Sequence, residues 1–433
     1  MLPTLRSLPD LGAQPQGAMR AAAFTLERMA WLTAALGKPQ QQYPSLHVAG
    51  TNGKGSVSAL CAAALQAGGL RVGLFTSPHL RGALQGISVD GKVVEQSELE
   101  ASFESLRPHL ERSTDWTQFE VATALAFQHF ALAGVRAAVI EVGLGGRLDA
   151  TNVVTPLVSV ITPIDYDHTS ILGSSLPEIT AEKAGIIKPG VPVVIAHQPA
   201  EVRKVIKAAA KENKFHLIEV GKDFCFEAGS FSLKGQDFEV WQASQPAQKT
   251  ALHISLLGAH QVENAATAYA ALQVAKQHGL PLDDEGIRRG FATARWPGRF
   301  EVLQSKPPVA LDAAHSPHAA RALRRALDDY FPGRPAILIL GVSADKDLSG
   351  ILGPLRPRIG QVIATQSTHP RAMPAGELQS RLAAQGLAAE AQPDAGAALR
   401  RGLSIAGGES LVLVCGSVFL VELVREAYLS RSF

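Results

Sequence analysis

His47-Val48-Ala49-Gly50-Thr51-Asn52-Gly53-Lys54-Gly55-Ser56 decides how this chain folds. A short apolar run of β type, Ser45 to Ala49, enters a glycine-dense loop, and an alanine-rich segment, Val57 to Ala67, leaves it. That order predicts strand, phosphate loop, helix. Glycines let backbone N–H groups approach an anion, the new helix directs its positive end at it, and Lys54 adds a charge. The spacing departs from G-x-x-x-x-G-K-[ST]: Val48 occupies the place of the first glycine, and Gly55 separates Lys54 from the Ser56 hydroxyl. A tight turn with a solvated lysine is the plainer alternative, and the flanking strand and helix count against it. The loop therefore points to a nucleoside triphosphate.

With 433 residues the chain is too long for one compact core, so two domains are expected. Hydrophobic content of 46% and charged content of 18% describe an ordinary soluble protein. A net charge of +2 gives no electrostatic case for nucleic acid or an anionic membrane. Cys61, Cys225 and Cys415 lie far apart and match no metal or disulfide spacing, which suits a reduced, cytoplasmic setting. Residues 1–20 carry Arg6, Asp10 and three prolines without an apolar run, so no secretion signal is expected. No apolar stretch reaches the roughly 18 residues that would cross a bilayer.

Along the chain, Arg20 to Leu36 reads as a helix with Phe24, Met29, Leu32 and Leu36 on one side. Arg71 to Thr76 reads as a strand, and Glu98 to Arg107 and Phe119 to Leu132 as helices. Ala137 to Val142, Val158 to Ile164 and Val191 to Ala196 are β-branched runs of the kind buried in parallel sheets. The alternation predicts a doubly wound α/β sheet with its ligand at the carboxyl ends of the strands. Phe215 to Leu257 changes texture to Gly-punctuated runs, Asp223 to Phe226, Ser230 to Leu233 and Asp237 to Trp241, expected as a small β insertion. A helix, Asn264 to His278, leads to a break at Pro297-Gly298. Strands at Val309 to Leu311, Ala336 to Leu340, Val362 to Thr365 and Leu411 to Cys415 then restart the alternation. Helices at His318 to Asp329, Gly376 to Gln385 and Val418 to Leu429 accompany them. Domains of 1–297 and 298–433 are expected.

Several constellations carry chemistry. Glu141 ends an apolar strand and precedes Gly143-Leu144-Gly145-Gly146-Arg147-Leu148-Asp149, placing a carboxylate where a metal–nucleotide is reachable; a glycine turn with a surface Glu is the alternative. Asp165-Tyr166-Asp167-His168-Thr169 closes the next strand in the same way, with a structural histidine equally open. Lys183, in Ala181-Glu182-Lys183-Ala184-Gly185-Ile186, reads locally as a solvated helix lysine. Asn264 opens a helix, as its cap or facing a base. Asp312-Ala313-Ala314-His315-Ser316-Pro317-His318 again follows a strand and precedes a helix; Ser316 as N-cap with Pro317 at the first helical position is its structural alternative.

Taken together and in order, GTNGKGS (50–56), TSPHL (76–80), EVGLGGRLDATN (141–152), DHT (167–169), EKAGI (182–186), GAHQVENA (258–265), WPGRFE (296–301), DAAHSPH (312–318) and ADKD (344–347) resemble the folylpolyglutamate synthase/dihydrofolate synthase family of the Mur-ligase superfamily. The resemblance runs from about residue 26 to about 424, and LERM at 26–29 with EVGLGGRLDATN is specific to the folate branch. It implies a P-loop, doubly wound ATPase domain like the Mur-ligase central domain and a smaller Rossmann-like C-terminal α/β domain. Gly50, Thr51, Asn52, Gly53, Lys54, Gly55 and Ser56 would hold the ATP phosphates, with Asn264, Arg299 and Asp312 as further nucleotide contacts. Ser77 and Glu141 would ligate one Mg²⁺ and His168 a second, which a carbamylated Lys183 would also reach. Thr117, Gln118, Leu148, Asp149 and Ala150 match pterin-side contacts, and His315 and Ser316 the glutamate site. Leu84-Gln85-Gly86-Ile87 stands where the family usually has Asn-Glu-Arg-Ile, and DAAHSP where it has DGAHNP.

The implied activity is ATP-dependent ligation of L-glutamate to dihydropteroate, to the γ-carboxylate of a (tetrahydro)folate, or to both, through an acyl phosphate. Lys54, Lys183 and His315 are the implied catalytic groups, and the partners are small molecules bound to a monomer. A peptidoglycan-precursor amino-acid ligase shares the scaffold but usually carries a separate N-terminal domain, whereas 46 residues precede His47. A non-catalytic nucleotide switch would need neither Asp312 and His315 nor Lys183.

Overall fold

Apolar runs without alternation build the centre of the fold. In the computed structural model, which describes residues 25–77, 83–112, 115–214 and 217–431, every residue of β1 (Ser45–Ala49), β5 (Ala137–Glu141) and β6 (Val158–Ile161) is buried. Strands covered on both faces lose nothing by being apolar throughout, which is why these runs lack a period of two. With β2 (Val72–Phe75), β3 (Ile87–Val89), β4 (Lys92–Val93), β7 (Val193–Ile195) and β8 (Leu217–Glu219) they form an eight-stranded sheet ordered β4-β3-β2-β5-β1-β6-β7-β8. The stretch from β2 to β8 is parallel, and β3 and β4 turn back as an antiparallel edge. Helices Lys54–Ala67, Gln118–Leu132, Leu176–Ala184 and Ala200–Glu212 provide the crossovers that parallel pairing requires.

This sheet belongs to the first of two compact units, made of the described residues up to Ser230 together with Asp237–Ser255 and Gln261–Arg295. A three-stranded sheet follows, ordered β11-β10-β9, from β9 (Phe224–Ser232), β10 (Gly235–Gln242) and β11 (Thr250–Ile254). The two runs expected as separate strands, Asp223–Phe226 and Ser230–Leu233, are one strand. Gly229 continues the ladder instead of breaking it, and a Cβ there would lie 3.2 Å from the Asp237 carbonyl.

The N-terminal helix is shorter than its apolar spacing suggested. It spans Leu26–Ala35, because Thr25 takes the N-cap position and accepts a hydrogen bond from Glu27 N; Arg20 to Phe24 lie outside the described residues, as do Pro78, His79 and Leu80. The helix expected from Asn264 instead runs Ala259–Gln277, with the break at Gly258 (φ +104°), so Asn264 is a buried mid-helix residue and not a cap. Helices Ala200–Glu212, Asp284–Thr293 and Ala395–Ala406 were not anticipated.

The second unit comprises Phe231–Gln236, Leu256–His260 and Trp296–Phe433. Its sheet is ordered β12-β13-β17-β14-β15-β16, from β12 (Glu301–Ser305), β13 (Pro308–Leu311), β14 (Ala336–Leu340), β15 (Ile359–Ala364), β16 (Ala389–Ala391) and β17 (Leu411–Cys415). All pairings are parallel except that of β12 with β13. The Pro317–Tyr330 helix buries Ala320, Leu323, Ala326 and Leu327, the 3- and 4-residue spacing of one apolar stripe.

Helix Asp284–Thr293 lies directly on the Lys54–Ala67 helix, and small residues make that possible. A Cβ at Gly290 would sit 2.3 Å from Ala64 Cα. Gly290→Ala is expected to destabilise the protein by about 1–3 kcal/mol through forced separation of the two helices. Gly376→Ala, in helix Ala375–Ala384 with open space around the new methyl, is expected to be neutral or stabilising by up to ~1 kcal/mol. Urea unfolding of the two variants checks both.

Candidate nucleotide and ligation site

The loop after β1 is stapled to the end of β6. Thr51 N and Asn52 N both donate to Pro163 O (3.0 and 3.1 Å), while Thr51 Oγ1 donates to Asp165 O and accepts from Asp165 N (3.0 and 3.1 Å). Gly50 is irreplaceable by geometry: its φ is +143°, and a Cβ would fall 1.9 Å from Thr162 Oγ1. Gly53 (φ +86°) begins the Lys54–Ala67 helix, and a Cβ on it would strike Asn264 Oδ1 at 2.3 Å. Asn264 thus packs on the phosphate loop, its Nδ2 donating to Gln261 Oε1 at 3.0 Å. The opening N–H groups of the helix, around Lys54, Gly55 and Ser56, lack acceptors within the helix and suit an anion.

Charged groups converge here. Lys54 Nζ lies 3.4 Å from Thr51 O and 4.0 Å from Glu141 Oε1. Glu141, 3% exposed, ends β5 beside Val48 of β1. Ser77 lies two residues past β2, whose Phe75 pairs with Ile140, so Ser77 and Glu141 leave neighbouring strand ends. Lys183 is 4% exposed, and its Nζ donates to Gly50 O at 2.9 Å. The solvated helix lysine suggested by local pattern is therefore overturned. Burial, reinforced by Lys54, pushes its pKa down to about 7, against the pull of Asp167 and Asp149. His168 holds a left-handed backbone (φ +49°), with Nε2 3.5 Å from Asp167 Oδ2. Asp167, overlooked as a site residue although it stands in Asp165-Tyr166-Asp167-His168, faces the same lysine.

Glu141 and Ser77 supply hard oxygen donors, the chemistry Mg²⁺ prefers. Among the described residues no three His, Cys, Asp or Glu gather as a metal cage. That donor set fits an ion that takes the rest of its shell from phosphate and water.

The glycine-rich loop after β5 and the segment bearing Lys183 are two halves of one packing. A Cβ on Gly146 would meet Glu182 O and Lys183 O at 2.8 and 2.9 Å, and one on Gly185 would meet Arg147 Cα at 2.5 Å. Arg147 N donates to Glu182 O (2.7 Å), and Asn152 Nδ2 donates to both Arg147 O and Gly185 O (3.0 Å each). Asp149 is buried with its carboxylate occupied: Oδ2 accepts from Leu144 N (2.8 Å), and Oδ1 from Thr151 N (3.0 Å) and the Thr151 hydroxyl. That hydroxyl accepts in turn from His47 Nε2 (2.8 Å). Burial raises the Asp149 pKa and, with Lys188, lowers that of His47 to about 3. Leu148 is half-buried, and Ala150 opens a buried turn, Ala150–Val153. Thr117 N-caps the Gln118–Leu132 helix in a capping box with Glu120, leaving Gln118 half-buried at its first position. The Gln118–Leu132 helix, which Thr117 caps and Gln118 opens, packs on the Ala150–Val153 turn.

In the second unit, Asp312 follows β13 and is buried; Oδ2 accepts from Phe300 N and Oδ1 from Ala314 N, both at 2.8 Å. Burial raises its pKa although the Arg299 guanidinium pulls the other way. His315 Nδ1 donates to Ala313 O at 2.8 Å, and Ser316 Oγ caps the Pro317–Tyr330 helix by accepting from Ala319 N at 3.3 Å. Ser316 thus takes the structural role weighed for it. His260 joins this group unforeseen: desolvation, then His318 and Arg299, push its pKa down to about 4.

Residues 48–272 match the Mur ligase middle domain, and residues 298–418 match the Mur ligase, glutamate ligase domain. A Bacillus subtilis dihydrofolate synthase/folylpolyglutamate synthase is 34% identical over 408 residues, 93% of this chain and 94% of its own. Mycobacterium tuberculosis folylpolyglutamate synthase complexed with ADP and AMPPCP matches with a TM-score of 0.83 and 33% identity, over 94% of this chain and 95% of that one. Escherichia coli FolC in complex with DHPP and ADP gives 0.85 and 30%, over 97% and 100%. No helix among the described residues is long and apolar enough to cross a membrane. Two matched domains and near full-length relatives place this chain in the Mur-ligase superfamily, as a member of its folylpolyglutamate synthase/dihydrofolate synthase family.

Proposed function

We propose that this chain joins L-glutamate to dihydropteroate, to the γ-carboxylate of a (tetrahydro)folate, or to both, converting ATP to ADP and phosphate. The names of its relatives and their ADP, AMPPCP and DHPP complexes support this reading. The observation that carries it is the convergence of Lys54, Glu141 and Lys183 on the loop Gly50–Ser56. Neither a peptidoglycan-precursor ligase nor a nucleotide switch is favoured by those relatives.

In the proposed reaction the γ-phosphoryl group passes to the substrate carboxylate, giving an acyl phosphate and ADP. The glutamate amine then attacks that carbonyl, the C–O bond to phosphate breaks, and the amine proton leaves to solvent. Gly50 to Ser56 hold the phosphates while Lys54 follows the charge on the transferring group. Ser77 and Glu141 would hold one Mg²⁺, and His168 with a carbamylated Lys183 a second. Bound Mg²⁺ neutralises phosphate charge. The carbamate forms as the neutral Lys183 amine adds CO₂ and releases a proton, exchanging its bond to Gly50 O for an anion. Asn264, Arg299 and Asp312 would serve the nucleotide, Asp312 by fixing the backbone around Phe300. Thr117, Gln118, Leu148, Asp149 and Ala150 form the pterin side, where Thr117 and Asp149 act as wall builders. His315 and Ser316 would border the glutamate. The assignment takes 1–297 as the ATP-binding part and 298–433 as the amino-acid part of a cytoplasmic monomer.

Phosphate release is expected only with a pteroate or folate and L-glutamate together, measured with dihydropteroate and with tetrahydrofolate, each with and without glutamate; release independent of either overturns the reading. Lys54→Ala should slow turnover about 100-fold or more while the protein stays folded by circular dichroism. Lys183→Ala should be inactive, and a short carboxylic acid in the medium should restore part of its turnover. No rescue, with activity indifferent to bicarbonate, counts against the carbamate.

A further inference from the structure

Leu26-Glu27-Arg28-Met29 opens a helix that no step of the proposed reaction uses. On the Leu26–Ala35 helix, Met29 and Leu32 are buried and Arg28 reaches the start of the Gln118–Leu132 helix. Arg28 Nε and a terminal guanidinium nitrogen both donate to Glu120 Oε1 at 2.9 Å. The other carboxylate oxygen, Oε2, accepts from Thr117 N and Thr117 Oγ1, again at 2.9 Å. Glu120 is thus a connector, 5% exposed, between an arginine and a threonine from distant parts of the chain. One helical turn beyond Arg28, Trp31 stacks on Trp116 at 6.4 Å, immediately before Thr117. The same short helix therefore grips Trp116–Glu120 at two points.

Capping alone does not call for the arginine. Ser175 and Glu178 form the same kind of box on helix Leu176–Ala184, exposed and built with Ser174 alone beside it. What Arg28 adds is placement. The Leu26–Ala35 helix, the Gln118–Leu132 helix and the Ala150–Val153 turn pack on one another, and the guanidinium is a polar tie between the first two. Glu120 is buried and Arg28 half-buried, so the pair is a weak source of stability but a constraint on geometry, because displacing the arginine leaves a buried carboxylate without its charge partner.

We propose that Arg28, acting through Glu120, is a positioning residue for the pteroate or folate substrate: it fixes Thr117 and Gln118 at the start of the helix that packs on the Ala150–Val153 turn. The proposal rests on the reading of these residues as the pterin side.

Steady-state kinetics of the full-length protein with dihydropteroate or tetrahydrofolate, whichever it uses, tests it. Arg28→Met should raise the KM for that substrate about tenfold or more and leave the KM for ATP within about twofold. Arg28→Lys, which keeps the charge but loses the fork, should fall between. Arg203→Met, which breaks a pair with buried Glu219 elsewhere in the unit, should leave both constants unchanged. Parallel changes in both constants, or none in the pteroate or folate KM, overturn the proposal. Should Arg28→Met fail to fold, Arg28→Lys decides by the same split. If the unaltered protein turns over with neither substrate, the functional reading falls, and the proposal with it.

Discussion

Backbone hydrogen bonds that hold β1 between β5 and β6 govern the arrangement of the whole first unit. Val48 pairs with Glu141 on one side and with Val160 on the other. Three loops consequently leave the sheet side by side: the phosphate loop, the glycine-rich loop after Glu141, and the segment from Thr162 to His168. A slip of one residue in either pairing would turn Glu141 away from Lys54 and separate Thr51 from Asp165. Carboxyl ends of adjacent parallel strands gather ligands because loops can diverge there while the strands stay fixed.

Close approach is the second constraint, and it explains where the glycines fall. Gly50 lies against Thr162, Gly53 against Asn264, and Gly146 and Gly185 against the backbone of the opposing segment. These contacts bring Lys183 within 2.9 Å of the Gly50 carbonyl. Burying an ammonium with one carbonyl and two nearby carboxylates is costly, and the group responds by losing basicity. A lysine held this way reaches neutrality near physiological pH, so its chemistry differs from that of a surface lysine.

Strands bounded by glycine or proline and filled with apolar residues were legible in sequence: β1, β14 and β17 start and stop where their composition changes. The short strands β3, β4, β8 and β16 were not, since two or three residues are too few to carry a pattern. Helix Ala200–Glu212 hid behind lysines and alanines, and its Val202, Ile206 and Ala210 stripe is too sparse to stand out. The site divides in the same manner. Lys54 and Glu141 follow from strand–loop order, because the chain itself delivers them to a strand end. Lys183 does not, because its burial depends on a loop some 35 residues away in sequence, the separation of Arg147 from Glu182.

Motif residues that look alike in sequence separate into two physical kinds once their hydrogen bonds are known. Thr117, Asp149, Asp312 and Ser316 spend their side-chain oxygens on nearby backbone N–H groups, so their chemistry is conformational. Lys54, Lys183, Glu141 and Asp167 face one another across the phosphate loop, so their chemistry is electrostatic. In the first unit Asp149, like Thr51 with Asp165, holds loops between which the second kind is set. Like charges such as Lys54 and Lys183 stay close only where rigid loops forbid them to separate, and those loops are rigid because buried carboxylates and hydroxyls hold their backbones. A carboxylate in such a sequence motif can therefore serve as a clamp on the main chain, as Asp149 and Asp312 do, and its bonding partners, more than its identity, tell its role.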